Sequence, residues 1–104
     1  MHIVRQERGG VPFYACTGFD GAAHGFSTRL GGVSPAPWDS LNLGVNRGDE
    51  PERVRENFHR FCTALGTDST AIVKNHQVHS DIVRAVTRED LCSSPELPAP
   101  VDAD

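Results

Sequence analysis

The run from Asp49 to Gly66 constrains the fold more than any other part of the chain. Val54, Phe58, Phe61 and Leu65 recur at i, i+4, i+7 and i+11, a single apolar stripe at helical spacing. Asp49 stands where an N-cap is expected, with Glu52 three residues on as its capping-box partner. Pro51 falls in the first turn, where a missing N–H costs little. Gly66 offers a left-handed terminator, and Glu56 and Arg60 pair across one turn on the far side. Together these features predict a helix over 50–65. A helix with one stripe must lay it on something, and a sheet face is the natural partner.

The flanks supply strands. His2 to Gln6 and Val11 to Cys16 read as a hairpin turning at Arg8-Gly9-Gly10, with Val11, Phe13 and Ala15 on one face. Pro12 puts the return strand at an edge or at its beginning. Residues 17–22 read as a loop, and Gly25 to Arg29 as a third strand. Beyond the helix, Thr70 to Val73 reads as a short buried strand. Asp81 to Thr87 reads as another, with Ile82 and Val86 on the face opposite Val83 and Ala85. The order is β-β-β-loop-α-β-β. Residues 89–104 carry Pro95, Pro98, Pro100 and five acidic residues but no Lys or Arg, which predicts a flexible connection. The expected class is α+β, a mixed β-sheet core with one covering helix. Such a core is thin for 104 residues, which makes the domain an incomplete copy of something larger.

Composition narrows the function classes. The net charge is −4, so no general field favours nucleic acid or an anionic membrane surface. No apolar run approaches the roughly 20 residues that span a bilayer. The first residues have no apolar signal core, and the expected compartment is the cytoplasm. Cys16, Cys62 and Cys92 are odd in number and form no CxxC. Neither a disulfide framework nor a cysteine-rich zinc site is indicated.

Candidate chemistry gathers in two places. The first is His24 to Gly44, too long and too lightly apolar for a plain connector. Its Arg29-x-Gly31-Gly32-x-Ser34 segment has the backbone N–H groups, hydroxyl and guanidinium that suit an anion; the competing reading is a tight turn joining strand to loop. Trp38, Leu41 and Leu43 form either a wall for a flat ligand or a plug under the loop. Asn42, flanked by two leucines, is expected to be held for its hydrogen bonds. The second is His76-x-x-His79. If this stretch is a strand, residues three apart point to opposite faces, so at most one imidazole serves a given site. No triplet at metal spacing is found among His2, His24, His59, His76 and His79.

The blocks HGFSTRLGGVS, SLNLG, GDEPERVRENF and QVHS, in this order over His24 to His79, resemble the N-terminal part of the polyphenol oxidase or laccase-domain family. Members of that family are described as purine nucleoside phosphorylases with adenosine deaminase activity. The resemblance implies an α+β fold, residues 1–88 as the N-terminal part of a larger two-sheet domain, and 89–104 as a connection. It also implies a zinc site of two His and one Cys, of which His79, in the QVH block, is the first ligand. The other two belong to ADC and HAGW motifs, which this sequence lacks, so they are expected downstream of Asp104. Asp102-Ala103-Asp104 resembles the segment just before the strand leading to the ADC cysteine, whereas Cys92 is not in that context. Ser80 departs from the Gly that usually follows QVH.

The expectation is therefore the N-terminal part of a zinc-dependent phosphorylase acting on adenosine, inosine and S-methyl-5'-thioadenosine, with phosphate as nucleophile. Arg29, Ser34 and Asn42 are the expected substrate-binding residues and His79 the metal ligand. The fragment alone is expected to be inactive, because one His does not hold catalytic zinc. One rival is a non-catalytic module that binds a nucleoside or a partner subunit. The other is copper-dependent phenol oxidation, which needs several His and Cys ligands that this stretch does not supply.

Overall fold

The computed structural model describes residues 2–19 and 21–104. Strands β1 (Ile3–Arg8), β2 (Val11–Cys16) and β3 (Phe26–Ser27) form an antiparallel sheet in the order β1-β2-β3. Gly9 and Gly10 make the first turn possible: both have positive φ, 57° and 79°, the pair of signs a tight hairpin requires. The register runs from Ile3 opposite Cys16 to Arg8 opposite Val11, and Tyr14 lies opposite Phe26 on the other edge.

Period two then sorts the side chains. Val11, Phe13 and Ala15 point inward and are buried, together with Leu41 and Ala64. Leu43, Phe61 and Leu65 pack around them. The helix α1 (Pro51–Leu65) covers this inner face, as its stripe requires. It ends in a Schellman arrangement: the N–H of Gly66 donates to Thr63 and that of Thr67 to Cys62, with Gly66 at φ 79°.

Two details of α1 differ from the sequence reading. Glu50, not Asp49, is the N-cap, and no side chain caps this end, so the expected Asp49–Glu52 capping box is absent. Asp49 is instead drawn under the preceding loop. The buried face also includes Asn57, a polar residue that the apolar stripe skips.

The class is α+β, as expected, with the sheet antiparallel throughout. Among the described residues, parallel pairing is confined to the isolated bridge His76↔Asp102. The two strands expected after the helix do not form. Residues 70–73 make one bridge, Ile72 to Cys92, and residues 81–87 make no ladder among the described residues. β propensity needs a neighbouring backbone to become a strand: Ile72 meets one only at Cys92, and residues 83–86 meet none among the described residues. Residues 89–104, expected to be a flexible connection, pack back on the chain. Arg88–Asp90 forms a 3₁₀ turn capped by Thr87, and Ala103 is 0% exposed.

If Phe13 is the hub of the core, Phe13→Ala should lower unfolding free energy by about 3–5 kcal/mol. Tyr14→Ala, on the outer face, should cost about 1 kcal/mol or less. Urea denaturation of both variants checks the contrast.

Candidate functional site

The loop from Gly31 to Asn42 is held from inside by one amide. Asn57, 0% exposed, accepts from the Val33 N–H at 2.8 Å and donates to Ser34 Oγ at 2.8 Å and to the Asn42 carbonyl at 2.9 Å. Ser34 in turn donates to Asp49 Oδ2, and Asn42 Nδ2 donates to the same oxygen at 3.2 Å. The other Asp49 oxygen accepts from the Glu50 N–H. Gly32 is required because a Cβ there would lie 2.2 Å from the Ser40 carbonyl and 2.4 Å from Asn57 Oδ1. The loop thus approaches the helix too closely for any side chain.

This network decides what the expected anion cradle can do. The N–H groups of Leu30, Gly32, Val33 and Ser34 all donate to protein acceptors: Thr28 Oγ1, Ser40 Oγ, Asn57 Oδ1 and the Ser40 carbonyl. They do not form an open nest, and the tight-turn reading holds there. Ser34 and Asn42 are brought together, with both side chains engaged in the network. Arg29 is separate and exposed, and its guanidinium makes no hydrogen bond or ion pair among the described residues. Trp38 braces the next turn: its indole N–H donates to the Arg47 carbonyl at 3.1 Å, and its ring lies against Gly48.

An open groove of about 680 Å³ lies beyond that turn. Its walls include Asn46, Arg47, Lys74, Gln77, His76 and His79. Both residues line this one space, against the expectation that at most one would serve a given site. The segment is not a strand, and His79 sits at φ 60° in a turn. Asp104 holds that turn, accepting from the Val78 N–H at 2.7 Å and from the Ser80 N–H. Ser80 adds a further brace by accepting from the Ile82 N–H. His76 Nδ1 is 2.9 Å from Asp102 Oδ1. Lys74 is fixed by the Pro95 and Leu97 carbonyls and by the face of Phe58, 5.3 Å away. Burial pulls its ammonium below the ordinary value. Among the described residues no carboxylate lines the groove, in a chain with 14 acidic and 10 basic residues.

The fit to zinc is incomplete. Among the described residues no group of three His, Cys, Asp or Glu stands close enough to hold a metal ion. His79 is exposed and accessible, but these residues do not make a metal site by themselves.

Sequence reasoning missed Asn57, Asp49 and Arg47 in these positions. Asn57 carried a signal, an amide set three residues after Val54 and four before Phe61, inside the apolar stripe. Asp49 was assigned to the helix end because its position fits a cap equally well. Arg47 had no signal, since only the fold of the turn aims it.

The network makes two predictions. Asn57→Ala strands the Val33 N–H and two acceptors, Ser34 Oγ and the Asn42 carbonyl, and should cost roughly 3 kcal/mol by chemical denaturation. Burial works against charge on Asp49, but hydrogen bonds from Ser34, Asn42 and the Glu50 backbone, with the Arg53 charge, outweigh it. They hold the carboxyl below its usual range. The stabilisation is therefore complete above the ordinary carboxylate value and is lost as pH falls through the depressed folded value. Denaturation midpoints below about pH 4 should fall less steeply for Asp49→Asn than for the wild-type chain.

Comparison with known proteins gives a consistent family. A family model described as multi-copper polyphenol oxidoreductase laccase matches residues 23–104. Purine nucleoside phosphorylase ORF3 of Streptomyces griseus is 44% identical over 84 residues, covering 80% of this chain and 33% of that protein. Purine nucleoside phosphorylase YfiH of Escherichia coli K12 is 45% identical over 73 residues, covering 70% and 30%. The crystal structure of YlmD from Geobacillus stearothermophilus superposes with a TM-score of 0.75 at 29% identity, over 91% of this chain and 36% of that one. The chain thus spans between a quarter and a third of the curated relatives' length. On this evidence it belongs to the multi-copper polyphenol oxidoreductase laccase family, among whose members are proteins named purine nucleoside phosphorylases.

Proposed function

We propose that this chain is the N-terminal part of a purine nucleoside phosphorylase, and that the groove at His79 is its contribution to the phosphate side of the site. The observation that carries the reading is the groove's lining, which brings Arg47, Lys74, His76 and His79 together and includes no carboxylate among the described residues. Phosphorolysis needs an anionic nucleophile held close to a neutral glycosidic carbon. A guanidinium on a braced turn suits that task better than a mobile one. Arg47 is on such a turn, fixed at its carbonyl by Trp38. Phosphate attacks the anomeric carbon, the glycosidic bond breaks, and its electron pair leaves with the base.

The residues expected at the substrate take different parts in this reading. Ser34 and Asn42 are positioning residues, which lock the loop through Asn57 and Asp49. Arg29, with its exposed guanidinium, is available to a substrate oxygen on the outer side of the loop. Adenosine, inosine and S-methyl-5'-thioadenosine are the proposed nucleosides, and adenosine deamination is the proposed second activity. His79 is the proposed metal ligand, but zinc enters only with further ligands that the described residues do not supply, and no step is assigned to it. The copper-based phenol oxidation suggested by the family's description needs several His and Cys ligands, which the described residues do not supply. The curated relatives' names favour the phosphorylase.

The test uses a chimera in which residues 23–104 replace the matching stretch of the Streptomyces griseus relative. It should release purine base from inosine only when phosphate is present. Arg47→Ala removes a charge-assisted contact of about 1.5–3 kcal/mol. It should raise the phosphate KM by roughly 10- to 100-fold with little change in the nucleoside KM. Base release independent of phosphate would sink the reading. So would inosine formation from adenosine by the 104-residue chain alone, which is expected to be inactive. Metal content of the chimera decides between zinc and copper.

A further inference from the structure

Asn75 lines the His79 groove and is exposed, yet its carboxamide is held from within the protein. Its Oδ1 accepts from Arg84 Nη1 at 3.0 Å. The same nitrogen donates to the Lys74 carbonyl at 3.2 Å, so one guanidinium holds both the backbone leading into Asn75 and the side chain itself. Arg84 is fixed in its turn. Its side chain is 14% exposed, and Nη2 donates to Asp90 Oδ1 at 2.7 Å. The other Asp90 oxygen accepts from the Thr87 N–H at 2.8 Å, inside the capped 3₁₀ turn.

The chemistry of Arg84 decides which way the amide faces. A guanidinium only donates, so the oxygen of Asn75 is the end turned toward it. The nitrogen is the end left over, and Asn75 Nδ2 makes no hydrogen bond among the described residues. Stability does not account for this arrangement. Water would satisfy an exposed amide equally well, so the bond from Arg84 adds little to folding. What it fixes is polarity: the amide keeps two N–H donors free and no longer offers its oxygen. Among the described residues Arg84 stands outside the groove's lining, so it acts there only through Lys74 and Asn75.

We propose that Asn75 is a further binding residue of this groove, donating to an oxygen of a phosphate-like oxyanion, and that Arg84 is the positioning residue that keeps its donor end available. The inference rests on the phosphate-side reading of the groove and adds a neutral donor to it. An amide free to rotate would offer a ligand either its N–H groups or its oxygen, and the oxygen repels an anion. Holding the donor end in advance removes that ordering cost from binding. A group that can only donate, such as an ammonium, gains nothing at the same place.

Inorganic phosphate titrated into the 104-residue chain, followed by NMR of backbone and side-chain amides, tests this without turnover. The Asn75 side-chain N–H pair should shift with the same Kd as the His79 backbone amide. Asn75→Asp keeps an oxygen for Arg84 but sets an acceptor where the donor was, and should raise that Kd about tenfold or more. In Arg84→Met the Asn75 side-chain order parameter should fall below about 0.6, and the Kd should rise about 2- to 10-fold. Arg84→Lys, which keeps a charge for Asp90 but not the forked reach to Asn75, serves the same comparison if Arg84→Met does not fold. An Asn75 pair that stays still while the His79 turn shifts overturns the proposal, as does Asn75→Asp binding phosphate as tightly as the wild-type chain. If Arg47→Ala still weakens binding in that case, the phosphate-side reading stands and only the role of Asn75 is lost. An unchanged Kd and order parameter in a folded Arg84 variant removes the positioning role. No shift at any groove residue overturns both readings.

Discussion

Asn57 is the joint on which the rest of the arrangement rests. It lies on the buried face of α1 and satisfies the loop's backbone at Val33 and Asn42, as well as the Ser34 hydroxyl. A buried amide without partners costs on the order of 1–3 kcal/mol for each group left unpaired, so the network is favourable only when complete. That completeness imposes geometry. Gly32 must lack a side chain, Asp49 must leave the helix end to accept from Ser34 and Asn42, and the turn at Arg47 follows from where Asp49 is held.

The consequences reach the groove through Trp38. Its indole ties the loop to the turn carrying Arg47 at the Arg47 carbonyl, so the backbone of a groove-lining residue is placed by a contact with the loop. On the opposite wall, Asp102 and Asp104 contact His76 and the turn at His79. Acidic residues that composition alone treats as a solvated tail are thus used to hold the His76 ring and the turn at His79. The carboxylates act on backbone and ring nitrogen, while the Lys74 ammonium is held by the Pro95 and Leu97 carbonyls.

Periodicity made the helix, the β1–β2 hairpin and the inward set Val11, Phe13 and Ala15 legible in the sequence, because each is decided by local spacing. The two later strands were misread for a physical reason. Val83 and Ile72 have strand character, but strand formation is a property of a pair of backbones: Ile72 pairs with Cys92 in one isolated bridge, and Val83 has no ladder partner among the described residues. The opposing faces assigned to His76 and His79 failed with that strand, since a left-handed residue at His79 changes the direction of the chain. Ser34 and Asn42 were singled out for their polarity. That signal was sound, but it pointed to a buried network as readily as to a ligand. Arg47 could not be found by pattern, because its position depends on Trp38 and Asp49 together.

The central claim, that Asn57 positions the loop from within, is tested most directly by the exchange rate of the Val33 amide. Its hydrogen is bound to Asn57 Oδ1 rather than to any strand or helix partner. If the network exists in solution, this loop amide should exchange within about tenfold of the slowest amides in β2. Exchange at the rate of the exposed 67–70 turn would contradict the account.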